Sequence, residues 1–301
     1  MVRIQRILCP VDFFPASLRA VDYAIGLAQK YDAKLHLLHV VSPILYSTEQ
    51  YAFTVSDIID SMKKQSARKM KKLERKARAA GLTIYTDVRT GEVKREIESA
   101  VRATKADILV MGTHGRRGME KWFLGSVTER MLRRSPIPVL TLRGSKKART
   151  ATTRILVTTD FSEGTDNALN YALSIARANK ARLTLLHVLE ETRAVISPKY
   201  RKEITEGVRR ELLQRIPADA QGSPDIDTAV EAGTPYHVIL RLLKKERIDL
   251  LVMNTHGKGM LHRALLGSTS ERIARAADCP VMLIPPMKKA KSNRRARRRA
   301  A

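Results

Sequence analysis

The chain has 301 residues, of which 44% are hydrophobic, enough to bury one large core or two ordinary ones. Its 56 Lys+Arg against 30 Asp+Glu give a formal net charge of +26, which attracts polyanions without selecting one. Two cysteines, Cys9 and Cys279, lack metal-ligand spacing and argue against a disulfide framework. With no signal-like start and no apolar run near the ~20 residues of a membrane span, they predict a soluble, cytoplasmic protein with no membrane partner.

In chain order, Ile4–Val11 is an apolar run ending at Asp12, rich enough to be a buried parallel strand. A helix opens at Pro15-Ala16-Ser17, and Lys34–Val41 reads as a second strand. Residues 54–80 carry apolar side chains at helical spacing with Lys and Arg between, and Gly81 suits the C′ position. Thr83–Val88, Asp107–Met111 and Pro138–Leu142 complete the strands; Val93–Thr104 and Gly125–Arg133 complete the helices. The second half retraces these steps. Arg154–Thr159 ends at Asp160, Leu183–Val188 echoes Leu35–Val40, and Cys279-Pro280-Val281 echoes Ile137-Pro138-Val139. Corresponding residues are 148 apart at Asp12 and Asp160 but 142 apart at Gly115 and Gly257, so six residues are missing between the second and third strands of the second half. The organisation predicted is residues 1–144 as the first domain, 145–152 as a basic linker, 153–286 as the second domain and 287–301 as a disordered basic tail. Alternating strands and helices imply parallel sheets covered on both faces by right-handed crossovers, with ligands beyond the strand C-ends at the switch point in strand order.

One constellation appears twice. Val110-Met111-Gly112-Thr113-His114-Gly115 is followed after nine residues by Gly125-Ser126, and Val252-Met253-Asn254-Thr255-His256-Gly257 by Gly267-Ser268 after the same interval. Glycines let a backbone approach closely or take positive φ, and a helix N-terminus offers amide donors and a favourable dipole to an anion. Asp12, at a strand end, suits a ribose hydroxyl or a bridging divalent cation rather than a phosphate. Ser126-Val127-Thr128-Glu129 and Ser268-Thr269-Ser270-Glu271 also read as capping boxes, which would make each serine an N-cap. The two roles are compatible, because a cap hydroxyl at a helix mouth also faces a phosphate. His114 and His256 fit loop hydrogen bonding better than catalysis, and His39 and His187 fit strand or core positions. P-loop, G-x-G-x-x-G, H-E-x-x-H and G-x-S-x-G motifs are absent, so no catalytic residue and no metal site is assigned.

Taken with Asp12 and the His39-Val40 strand end, Gly112-x-x-Gly115-(nine residues)-Gly125-Ser126 resembles the signature of the ATP-binding branch of the universal stress protein family. The chain looks like a tandem member covering nearly all of residues 1–286. The resemblance implies two tandem, doubly wound α/β domains, each a five-stranded parallel sheet of order 3-2-1-4-5, Rossmann-like and of the adenine nucleotide alpha hydrolase type. It implies ATP, or ADP or AMP, as ligand, with Mg2+ accompanying the nucleotide. The first site would comprise Pro10, Val11, Asp12, Val40, Met111, Gly112, Gly115, Gly125, Ser126 and Val127, with adenine at the Val40 backbone, ribose near Asp12 and phosphates along the glycines. The second would comprise Thr159, Asp160, Val188, Asn254, Gly257, Gly267 and Ser268. It departs from the pattern at Asn254, which stands where the first glycine is expected. Asn is tolerable if the position needs positive φ and obstructive if it needs an absent side chain; either way weaker binding is expected there, or none. The family also implies pairing of the two domains through their fifth strands, with a homodimer as a further option. The leading function is a nucleotide-binding stress or regulatory protein whose ATP hydrolysis, if any, is slow. The alternative is a nucleic-acid-associated protein using its Arg-rich tail, residues 288–301, for nonspecific, salt-sensitive contact. A genuine nucleotide hydrolase or transferase is the least supported.

Overall fold

A computed structural model describes residues 3–42, 52–113, 124–143, 151–162, 164–190, 198–223, 225–255 and 266–286. Residues 145–150 of the expected linker and the tail at 287–301 lie outside these. The first half runs β1 (Arg6–Pro10), α1 (Pro15–Tyr31), β2 (Lys34–Val41), α2 (Ala52–Ala79), β3 (Ile84–Thr90), α3 (Val93–Thr104), β4 (Ile108–Gly112), α4 (Ser126–Arg134) and β5 (Val139–Leu142). The second half runs β6 (Arg154–Thr159), α5 (Thr165–Asn179), β7 (Arg182–Leu189), α6 (Pro198–Arg215), β8 (Ile226–Ala232), α7 (Pro235–Lys245), β9 (Leu250–Asn254), α8 (Ser268–Ala276) and β10 (Val281–Ile284). The six missing residues fall where expected, since 42 residues separate β2 from β3 and 36 separate β7 from β8.

All ten strands join one sheet in the order β3-β2-β1-β4-β5-β10-β9-β6-β7-β8. Each half is parallel with order 3-2-1-4-5, and the halves meet where β5 and β10 pair antiparallel, Leu140 opposite Met282. Those two residues correspond under the 142-residue offset, so the pseudo-twofold axis passes through that pair. Alternation along each strand builds two apolar layers. Ile7 and Cys9 point to the side covered by α1, α2, α5 and α6, whereas Leu8 points to the side covered by α3, α4, α7 and α8. The central strands are apolar on both faces for that reason. Burial in the first layer pushes the Cys9 thiol well above its ordinary range, and Cys279 is pushed up to about 12 for the same reason.

Helix ends follow local chemistry. Gly81 takes φ +79 after α2, with Gly81 N–H bonded to Arg78 O and Leu82 N–H to Ala77 O, the pattern of a left-handed C-terminal cap. At the seam, Arg133 on α4 bonds Glu129 at 2.7 Å and reaches Glu271 on α8 at 3.5 Å, while Arg275 bonds Glu271. These four charges are two symmetry-related pairs. Arg143 Nη1 donates to Ala276 O at 2.7 Å, and on the opposite face Asn179 Nδ2 donates to the Tyr31 hydroxyl at 3.0 Å.

Candidate functional site

The C-ends of β1, β2 and β4 lie side by side at one end of the first half. The β1–α1 turn is held by Asp12, whose Oδ1 accepts the Phe14 N–H at 3.0 Å and the Ser17 hydroxyl at 2.5 Å, while the Asp12 N–H donates back to Ser17 Oγ at 3.2 Å. Phe13 sits at φ 65, a left-handed conformation a bulky residue rarely takes. Its ring lies 4.5 Å from that of His39, and Lys69 of α2 stands 5.2 Å above it. His39 is buried and its Nδ1 lies 2.7 Å from Val11 O; since a carbonyl only accepts, Nδ1 carries the proton. The histidine is thus a strut from the end of β2 to the end of β1, as its strand position suggests.

Gly112 ends β4 against the first turn of α1. A Cβ there would lie 2.7 Å from both the carbonyl carbon and oxygen of Ala16 and 3.0 Å from its Cβ. Its φ is not in the left-handed region, so the requirement is absence of a side chain, not backbone freedom. The β4–α4 loop is closed at its base by Gly125 N–H to Thr113 O at 2.8 Å, and Thr128 Oγ1 donates to Gly112 O at 2.9 Å. Gly125, not Ser126, is the N-cap of α4, and no side chain caps the helix. The capping-box reading is therefore corrected. The Ser-x-x-Glu spacing is present, but the helix starts one residue earlier than a capping box would place it, with Glu129 N–H bonded to Gly125 O and Glu129 turned to Arg133. Ser126 is the first helical residue and is exposed. The amides of Ser126, Val127 and Thr128 accordingly have no intrahelical acceptor.

The expected first-site residues that are described thus gather at one end of the sheet, with different parts to offer. Val11 and Met111 have buried side chains and Val127 is partly buried against the core, so each presents backbone; Pro10 and Val40 are half-buried at the strand ends. Gly115 and His114 lie outside the described residues, as do Gly257 and His256. Sequence reasoning missed Phe13, Ser17 and Thr128. The repeat itself held the signal, for their counterparts are Phe161, Thr165 and Ser270, the same chemistry at the same offsets.

The second site repeats the frame with altered contents. Phe161 takes φ 60, its ring lies 4.5 Å from that of His187 with Arg215 at 5.5 Å, and His187 Nδ1 donates to Thr159 O at 2.8 Å. Asp160 Oδ1 accepts the Ser162 N–H at 3.1 Å. The hydroxyl of Thr165, unlike that of Ser17, is engaged by Thr159 Oγ1 at 3.1 Å and by Asn254 Nδ2 at 3.5 Å. Asn254 occupies space that Ala16 and its helix fill in the first half. Its counterpart neighbour is Gly164, and α5 begins at Thr165, two positions later than α1. The helix has drawn back and lost a Cβ to admit the amide. Asn254 Oδ1 is nevertheless buried without a hydrogen-bond partner among the described residues. Gly267 caps α8 as Gly125 caps α4, Ser270 Oγ donates to Asn254 O at 2.8 Å, and Ser268 is exposed. Asn254 has no positive φ, so backbone freedom does not explain the asparagine, and its amide is accommodated beside Gly164. Val188 is half-buried at the end of β7.

Two doubly wound parallel halves, each with a helix N-terminus at its strand C-ends, define a tandem Rossmann-like α/β protein. The universal stress protein family model matches residues 3–143 and 151–285, and the chain belongs to that family. It is 28% identical to a universal stress protein of Mycolicibacterium smegmatis over 93% of this chain and 97% of that one. A Methanocaldococcus jannaschii universal stress protein is 32% identical over 48% of this chain and 84% of its own length. Among solved structures, a universal stress protein from Archaeoglobus fulgidus superposes with TM-score 0.70 at 22% identity, covering 96% of this chain and all of that one.

Proposed function

We propose that the first half binds one adenine nucleotide, ATP in the first instance, and that the chain acts as a nucleotide-responsive stress or regulatory protein. The observation that carries this is the α4 N-terminus, where the amides of Ser126, Val127 and Thr128 and the exposed Ser126 hydroxyl stand at the strand ends with no intrahelical acceptor. These donors suit a di- or triphosphate. Gly112 keeps a side chain out of the same corner, and the β2 end supplies the Val40 backbone for a flat ring. Asp12 uses Oδ1 to hold its own turn, and no described residue bonds Oδ2, which suits a ribose hydroxyl or a cation. Mg2+ would be held by nucleotide phosphates and this single carboxylate, since no cluster of three metal-ligating side chains occurs among the described residues. The second half is proposed to bind weakly or not at all, because Asn254 and the retreat of α5 remodel the corner.

The test is nucleotide content and titration. Isothermal titration of nucleotide-stripped protein with ATP, ADP and AMP is expected to give close to one site per chain. No binding of any of them, with none copurifying, overturns the proposal. Two equal sites overturn the assignment of the second half.

A further inference from the structure

Helix α2 carries nine Lys+Arg against three Asp+Glu, and the structure sorts those cations into two groups. Lys63 pairs with Asp60 at 3.4 Å, Lys76 with Asp22 at 2.6 Å and Arg78 with Glu74 at 2.9 Å, while Lys69 lies over Phe13. Lys64, Arg68, Lys71 and Arg75 are exposed and have no ion-pair partner among the described residues. Their spacing of four, three and four places them on one line along the helix, about 16 Å long, with Lys72 beside it. Ser61 and Gln65 adjoin the N-terminal end, where with Met62, Lys64 and Arg68 they line a shallow depression.

We propose that this stripe is a docking surface for the phosphodiester backbone of double-stranded nucleic acid. A solvated helix surface ordinarily interleaves signs at i,i+4, whereas here Lys64/Arg68, Arg68/Lys72 and Lys71/Arg75 oppose like charges at a cost to the helix itself. A duplex presents about ten phosphate charges along the same 16 Å. Beside the stripe, the apolar side chains Met70, Leu73 and Ala77 are spent on the core, and the exposed Ile58 lies N-terminal of it, so the stripe itself offers a bilayer no apolar face. Residues 56–79 contain no aromatic side chain, so the surface offers charge without base stacking, which favours a duplex backbone over a single strand. The feature belongs to one half only. On α6 the cations are interspersed with Glu203, Glu206 and Glu211, and Arg215 is paired with Asp166 at 3.0 Å. The surface is independent of nucleotide binding and distinct from the basic tail.

Fluorescence anisotropy of a labelled 30-base-pair duplex, titrated with the full chain from 50 to 300 mM NaCl, tests it. For the fourfold variant Lys64→Gln, Arg68→Gln, Lys71→Gln, Arg75→Gln, the slope of log affinity against log salt is expected to be shallower by about 3 to 4, at ~0.9 per phosphate contact. The matched α6 variant Lys199→Gln, Arg201→Gln, Lys202→Gln, Arg209→Gln should keep the parent slope. Should the fourfold variant fail to fold by circular dichroism, Arg68→Gln and Arg75→Gln singly are each expected to remove about 0.9. An unchanged slope overturns the proposal. So does a loss seen only on replacing Arg294, Arg295 and Arg297 by Gln, or binding to phosphatidylserine vesicles with none to the duplex.

Discussion

Replacing Gly112 by Ala adds one methyl group, and the structure says where it goes. The new Cβ would stand 2.7 Å from the Ala16 carbonyl carbon and oxygen, against the 3.4 Å or more of ordinary contact, and 3.0 Å from the Ala16 methyl. Two of those atoms are backbone in the first turn of α1, where Pro15 fixes the start of the helix. No rotamer relieves the overlap; either α1 or the end of β4 must move. Overpacking of that kind costs about 1–3 kcal/mol. With a urea dependence of about 2 kcal/mol per molar, the first half should unfold near 1 M earlier. Equilibrium urea denaturation followed by far-UV circular dichroism measures this. Adding Ala16→Gly removes the methyl contact but not the carbonyl ones, so it should restore part of the loss and no more. Full repair would need the retreat that α5 makes. The reverse change, Asn254→Gly, removes a side chain whose Oδ1 has no described partner and should cost less than Gly112→Ala. If Gly112→Ala unfolds at the same urea concentration as the parent, the steric reasoning is wrong.

Other predictions are simpler. Asp12→Asn keeps an acceptor at Oδ1 for Phe14 N–H and the Ser17 hydroxyl, so the fold should survive while ATP affinity falls about ten- to hundredfold, the worth of a charged hydrogen bond; titration giving the parent affinity would remove Asp12 from the site. Cys9 and Cys279 have thiols pushed up by burial, so neither should react with a thiol reagent at pH 8 until urea is added, and a rapid native reaction would contradict their packing. His36 is held below its ordinary value first by burial and then by Lys34 and Arg6. The unfolded chain therefore binds its proton more readily, and this histidine's contribution to stability should worsen as pH falls below about 6.5, the unfolded value. His36→Gln should flatten the stability profile between pH 7 and 5; an unchanged profile refutes it. Arg133→Gln with Arg275→Gln should lower the thermal midpoint slightly at low salt and not at 1 M NaCl, because these partly exposed pairs are worth about 1 kcal/mol or less.

The architecture was readable in the sequence because its signals are local and doubled. Lys34–Val41, Val93–Thr104 and Arg154–Thr159 have the same bounds in the structure as in the pattern, each being an uninterrupted run between clear stops. What escaped depends on contacts far apart in the chain. Why residue 112 is glycine is decided by Ala16, 96 positions earlier, and no window on the loop reveals that. Ser126 misled because Ser-x-x-Glu occurs equally when glycine caps and serine is the first helical residue. Ser17 reads only as part of a helix start, and its bonds to Asp12, five residues earlier, carry no sequence signature. Phe13 gave no local hint of positive φ, since aromatic residues are not expected there.

The antiparallel junction of β5 with β10 has one more consequence. A symmetric pair of identical chains can change nothing on one side without changing it on the other; each substitution is made twice or not at all. Joining the halves in one polypeptide lifts that restriction while the seam at Leu140 and Met282 keeps the geometry of a dimer. Asn254 with Gly164 on one side and Gly112 with Ala16 on the other is a difference of that kind, and the bare cationic line on α2 is another. Because the two halves run in opposite directions across the seam, their strand C-ends face opposite ends of the sheet. Each half is therefore free to diverge at its own strand ends without disturbing those of its twin.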